Sequence, residues 1–234
     1  MNLKPLFLCI TLASCSCRTM APADAEPIDP PTESPIVSYT SPPELEVAIE
    51  PKIGGYVMMS LYGPVSPESV MPLMASLVFE TRVDGFVIEI NSGGGDVDAG
   101  FALVKAIENA SAPVHCIVDG EAMSMAFYIL QSCTTRSMTK RSVLMIHNPS
   151  VSGRMNGGAL EFQELADRLL ALQNAMMEQY LTKMNITKKQ QQNKITAKDW
   201  YLGWEEAKST QAVDFALTSV EQVWLVIAAH REQK

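Results

Sequence analysis

The feature that most limits how this 234-residue chain can fold is an alternation that begins at Gly54, where short apolar runs take turns with helix-length segments. Each junction carries a glycine, a proline or a capping side chain. Strands separated in this way pair in parallel, since a parallel crossover consumes about a dozen residues that usually form a helix. Residues 55–61 read as a strand, and Ser66-Pro67-Glu68 opens a helix to about residue 80, with a capping hydroxyl and proline at the first helical position. Residues 86–90 form an apolar strand interrupted only by Glu89, and Asn91-Ser92-Gly93-Gly94-Gly95 turns into a helix from 96 or 97 to 110. A strand at 114–118, a turn at Asp119-Gly120, a helix at 123–132 and a strand at 143–146 follow.

Residues 159–184 carry the longest helical pattern, with Leu160, Leu165, Leu169, Leu172, Met176, Tyr180 and Met184 three to five apart. Such a stripe reads as core packing, and its length also suits a contact between subunits. The chain then passes through 187–199 and Glu205-Glu206-Ala207 to a strand-like stretch at 212–217 and an apolar helix at 220–229.

The first 53 residues have a different character. A short start with one lysine, Lys4, precedes an apolar run at 6–13, too short to span a bilayer but of the length of a secretory leader. Leu12-Ala13-Ser14-Cys15 resembles the lipobox at which bacterial lipoprotein precursors are cut before an acylated cysteine. Three regions are expected: residues 1–14 a signal peptide, 15–53 a tether lipid-anchored at Cys15, and 54–234 the folded domain. Pro22, Pro27, Pro30, Pro31, Pro35, Pro42 and Pro43 recur in the tether without a hydrophobic period, as in an extended linker. Ser16, following the cysteine, points to the outer membrane or the periplasmic face of the cell envelope; the alternative is an apolar tail on a cytoplasmic protein. Cys116 and Cys133 in the body of the chain are either paired or free and buried.

With 47% hydrophobic residues the folded part can bury one ordinary core. The net charge of −8, without a basic run interleaved with aromatics, excludes a nucleic-acid surface. Lys188 and Lys189, with Lys183 and Lys194 nearby, read as a solvated face. No His/Cys/Asp cluster has metal-ligand spacing, and no Gly-Lys-Ser/Thr follows the triglycine, so neither a metal nor a nucleotide or other cofactor is expected.

Three patches fit one chemistry: Asp119 to Met125, Met145-Ile146-His147-Asn148-Pro149, and Lys198-Asp199-Trp200. A serine hydroxyl becomes a nucleophile only with a base in hydrogen-bond reach and a third group orienting that base. Of the three histidines, only His147 ends an apolar strand; His115 lies within a strand and reads as structural, and His230 lies in a charged tail. Ser124 follows a strand and a glycine turn at a helix start, where free N–H groups and the helix dipole favour an oxyanion. The Gly93-Gly94-Gly95 turn can bring further backbone N–H groups to a substrate carbonyl. Asp199, Asp214 and Asp167 are all open as the acid.

Ile90-Asn91-Ser92-x-Gly94-Gly95, Gly120-x-Ala122-x-Ser124-Met125, Met145-Ile146-His147-x-Pro149, and Asp199 followed by Glu206-Ala207 and Val213-Asp214 together resemble the Clp protease proteolytic subunit over residues 54–217. The resemblance implies a Clp/crotonase-like α/β fold of repeated β-β-α or β-α units with a protruding handle helix from Ala159. It implies a serine endopeptidase acting on peptides or unfolded proteins, with Ser124 as nucleophile, His147 as base and Asp199 as orienting acid. Gly95 and Met125, with Gly94 beside them, would form the oxyanion hole, and residues 150–154 would lie near the peptide. It further implies a homo-oligomeric ring, fed by an ATP-driven unfoldase if the protein is cytoplasmic. Asp214 matches a structural position of the family.

The chain departs from the family where Gly93 replaces a proline, where Ala126 replaces a glycine, and in its exported start. Two other readings use the same residues. A signal-peptide-peptidase-like enzyme would pair Ser124 with Lys183, and a crotonase-like acyl-CoA enzyme or inactive scaffold would need no triad.

Overall fold

The computed structural model describes residues 52–53, 55–151, 154, 156–195 and 198–232. The expected leader, Cys15 anchor and nearly all of the tether lie outside the described residues.

β1 (Lys52–Ile53) and β2 (Tyr56–Tyr62) form an antiparallel edge, and β3 (Gly85–Ser92), β4 (Val114–Met123) and β5 (Thr135–Thr139) extend the sheet in parallel from β2. The crossovers are α1 (Pro67–Phe79), α2 (Val97–Glu108) and α3 (Met125–Ser132). β6 (Val143–Ile146) pairs with the second half of β4, and β8 (Phe215–Leu217) pairs with β5. Between them in the chain come α4 (Ala159–Lys183), α5 (Lys188–Ile195), β7 (Trp200–Leu202), which is antiparallel to β6, and α6 (Trp204–Ser209). A 3₁₀ turn at Val220–Gln222 leads into α7 (Val223–Glu232). This is the mixed α/β, mostly parallel architecture that the alternation and the family resemblance imply.

The sheet is covered on both faces, so its central strands are continuous apolar runs. With a side-chain period of two, Val57, Leu61, Phe86, Ile88, Ile90, Cys116 and Val118 belong to the main core with α1, α2 and α3. Tyr56, Val87 and Ile117 point the other way, into a second cluster with Val223, Val226 and Ile227 of α7. Ser66 caps α1, accepting from the Ser69 N–H at 3.3 Å while Ser69 Oγ accepts from the Ser66 N–H at 3.0 Å. Asp96 caps α2, accepting from the Ala99 N–H at 2.7 Å.

Several expected boundaries shift. The strand expected to end at Val118 bends at Asp119-Gly120 and continues to Met123, exchanging β5 for β6 as its neighbour. Ser142 holds the bend, accepting from the Gly120 N–H at 3.0 Å and donating to the Val118 carbonyl at 2.9 Å. The helix expected from 123 therefore begins at Met125. β5 was not expected, because Thr-Arg-Ser-Met-Thr looks like a solvated loop, yet all five residues are buried. β7 is only three residues long, too short for a periodic signal, and 187–199 contains α5. The strand expected at 212–217 is confined to β8.

An ion pair explains how arginine lies in a buried strand. Asp214 receives Arg136 Nη2 at 2.6 Å, Nε at 3.1 Å and the Arg136 backbone N–H at 2.8 Å, while Nη1 donates to Gln131 at 2.8 Å. Removing the carboxylate strands the guanidinium of a buried residue, Arg136, which is 7% exposed. Asp214→Ala is expected to cost about 3 kcal/mol in urea unfolding, the low end for a broken buried pair because Asp214 keeps partial solvent contact.

Candidate active site

Ser124 sits where β4 gives way to α3, with φ 51° and ψ −121°. A positive φ is uncommon in a residue with a side chain and persists only where its surroundings enforce it. Here the Ser124 N–H donates to the Met145 carbonyl of β6 at 2.9 Å, and the Ser124 carbonyl accepts from Tyr128 at 3.2 Å. This strand, strained residue and helix arrangement turns the hydroxyl outward from the strand end. The side chain does not cap the helix. Instead Oγ lies 2.6 Å from His147 Nε2.

β-sheet register brings the next two residues together. Leu144 pairs with Leu202, Met145 with Tyr201 and Ile146 with Trp200, antiparallel. One step further along the same ladder, His147 faces Asp199. His147 Nδ1 and Asp199 Oδ1 are 3.9 Å apart, so the two groups are neighbours without a full hydrogen bond. Of the three candidate acids only Asp199 is there: Asp214 is engaged by Arg136, and Asp167 accepts from Gln163 on α4 at 3.0 Å.

The glycine turn abuts the serine. Gly94 has φ +90°, and a Cβ there would lie 2.6 Å from the Met123 carbonyl oxygen and 2.7 Å from Ser124 Cβ. Val65 laces the turn from the other side, donating to the Gly94 carbonyl at 2.9 Å and accepting from the Asp96 N–H at 2.8 Å. Those bonds use the groups on either side of the Gly95 N–H. The Met125 N–H opens α3 and has no intrahelical acceptor. The Met125 N–H thus lies beside Ser124 at the positive end of the helix, and Gly94 packs against the same segment.

Lys183 lies elsewhere. Its backbone carbonyl accepts from Arg136 Nη1 at 3.2 Å, and the same nitrogen bonds Gln131 at the far end of α3. At 1.5 Å per residue, Gln131 is roughly 10 Å along the helix from Ser124. The Lys183 side chain is exposed.

A cleft of about 320 Å³ runs from Gly95 and Val97 past Pro149 and Val151 to Leu165 and Leu169 of α4. Leu165, Leu169 and Leu172 of its apolar wall were marked by the sequence only as a helix stripe, whereas Val151 falls in the stretch expected near the peptide. Arg168 and Asp98 pair at its edge, 3.6 Å apart and exposed. In α3, burial, with a smaller contribution from the Glu108 charge, raises the pKa of the Tyr128 phenol above its ordinary value. Cys116 of β4 and Cys133, the residue capping the end of α3, form a disulfide with Cα atoms 5.9 Å apart. Both residues are buried. Sequence reasoning had left that pairing open.

Known proteins resemble the chain over the same stretch. A family model described as Clp protease matches residues 54–219. The chain is 32% identical over 140 residues to the ATP-dependent Clp protease proteolytic subunit 1 of Chlamydia caviae, covering 58% of this chain and 72% of the relative. It is 33% identical over 162 residues to the subunit of the same name from Chlamydia pneumoniae, covering 67% and 84%. The strand, strained serine and helix, with a histidine on the serine, define a serine-type peptidase. The chain belongs to the Clp protease family. α7, which covers the second face of the sheet, lies beyond the matched stretch.

Proposed function

We propose that the chain is an exported, lipid-anchored serine endopeptidase that cleaves peptides or unfolded polypeptides through an acyl-enzyme on Ser124. The observation that carries this reading is the 2.6 Å approach of His147 Nε2 to the hydroxyl of a strained serine at a helix start. His147, with its ring proton on Nδ1 towards Asp199, takes the Ser124 proton as Oγ attacks the scissile carbonyl carbon. Charge builds on the carbonyl oxygen, where the N–H groups of Gly95 and Met125 receive it, with Gly94 holding the turn close. Collapse of the tetrahedral intermediate breaks the C–N bond, and His147 gives its proton to the departing amine. Water, deprotonated by His147, then hydrolyses the ester and restores Ser124. Asp199 orients the imidazole and stabilises its charged form.

The apolar cleft beside Gly95 suits an extended, unfolded segment rather than a folded surface. Leu160, Phe162 and Leu170 are exposed on α4, in keeping with a homo-oligomer assembled through the handle helix. Export is supported by the lipobox-like Leu12-Ala13-Ser14-Cys15 and by the buried Cys116–Cys133 bond, since disulfides persist in oxidising compartments. In such a place the enzyme works without ATP. The relatives' names describe ATP-dependent subunits; a cytoplasmic form of this chain would share that dependence.

Labelling of the purified full-length protein with a fluorophosphonate, followed by peptide mapping, tests the chemistry. Label on Ser124 is expected in the wild type, lost in His147→Ala and retained in Lys183→Ala. Label that survives His147→Ala but needs Lys183 would establish the Ser–Lys alternative, and no label at all would favour the acyl-CoA or scaffold reading.

A further inference from the structure

We propose that Glu206 is a positioning residue for Asp199, acting through Trp200 and Lys194; the proposal rests on the triad reading above. Asp199 is about half exposed, and its side chain meets His147 only at 3.9 Å, so what sets its position is the backbone on either side. After it comes Trp200, 5% exposed and paired with Ile146. Before it comes Lys194, in the last turn of α5.

Both flanks converge on one carboxylate oxygen. The Trp200 indole N–H donates to Glu206 Oε1 at 3.0 Å, and Lys194 Nζ donates to the same oxygen at 3.0 Å. Lys194 Nζ also lies 5.3 Å from the centroid of the indole ring. Glu206 is in α6, where its own carbonyl accepts from the Thr210 N–H at 2.9 Å, so the anchor rests on a different element from the two it holds. A cavity of about 430 Å³, lined by Ile186, Gln190, Asn193, Lys194, Trp200 and Glu206, opens beside this clamp. The indole is packed in the core on its other side, and on the cavity side the polar contacts to Glu206 restrain it, and through it the start of β7. A carboxylate that must move inward by about 1 Å to bond the imidazole is sensitive to that restraint, since a misplacement of this size can cost about a hundredfold in rate.

The test is a double-mutant cycle on the full-length protein, reading kcat and KM for a fluorogenic peptide. Glu206→Ala is expected to lower kcat roughly 10–100-fold with KM unchanged. Glu206→Gln, which keeps an acceptor for the indole N–H, should restore most of the rate. In an Asp199→Asn background, Glu206→Ala should cost nothing further, a result that general destabilisation would not give. Equal losses in both backgrounds, or no loss in the wild-type background, would overturn the proposal. If Asp199→Asn alone leaves kcat unchanged, the triad reading fails and takes this proposal with it; if Asp199→Asn is damaging and Glu206→Ala is silent, only this proposal fails.

Discussion

Ser124→Ala is expected to lower peptide hydrolysis on the order of 10⁶-fold, to the residual rate supplied by binding and the N–H groups alone. Alanine removes the atom that forms the acyl bond, and no neighbouring group replaces it: His147 Nε2, 2.6 Å from Oγ, is placed to accept a proton from a nucleophile, not to act as one. The serine and histidine act as a unit, so Ser124→Ala/His147→Ala should be no slower than either single variant. Steady-state hydrolysis of a fluorogenic peptide measures this. A double variant slower by the product of the two single losses would mean that the residues act independently, and the acyl-enzyme route would be wrong. Relief of the positive φ gives a second readout. Ser124→Gly should bring the same loss of activity while thermal stability holds or rises, because glycine adopts φ near 51° without strain.

Gly94→Ala is the second large effect, on a residue that takes no part in bond making. Its Cβ would fall 2.6 Å from the Met123 carbonyl oxygen, 2.7 Å from Ser124 Cβ and 3.0 Å from the Met125 nitrogen. Two of these neighbours are backbone, and all three belong to the segment that carries the nucleophile and one oxyanion donor. The segment must give way, and φ +90° adds strain of about 1–3 kcal/mol for any side chain. Hydrolysis is expected to fall about 10²–10³-fold, comparable with loss of one oxyanion donor, and unfolding to shift to lower urea. Gly93→Ala is the control. A Cβ there meets only Glu121 Oε1 at 3.4 Å, so stability should change by no more than about 0.5 kcal/mol. If the two variants behave alike, the close approach of Gly94 to the serine is not what sustains activity.

Much of this architecture was legible because the signals were local. Apolar runs at 86–90 and 114–118 separated by a capped helix prescribe parallel strands, and Ser66-Pro67 and Asp96 mark helix starts by their own chemistry. The parts that were missed depend on distant partners. β5 reads as a loop because Arg136 and three hydroxyl residues fill it, and it becomes a buried strand only when Asp214, 78 residues away, neutralises the guanidinium. The bend in β4 is hidden for the same reason, since Ser142 stabilises it from the turn that precedes β6.

The amino-acid sequence determined by itself the inventory of the site: one serine at a helix start, one histidine at a strand end, an aspartate beside a tryptophan, and glycines able to carry backbone N–H groups close. Hydroxyl, imidazole and carboxylate chemistry belong to the residue types wherever they lie. The family resemblance already favoured Asp199 over Asp214 and Asp167; what only the tertiary structure adds is the physical reason, the β6–β7 register that sets Asp199 opposite His147. The tertiary structure also decided the positive φ of Ser124 and the distance of Lys183 from it, since both follow from contacts between strands and helices far apart in the chain.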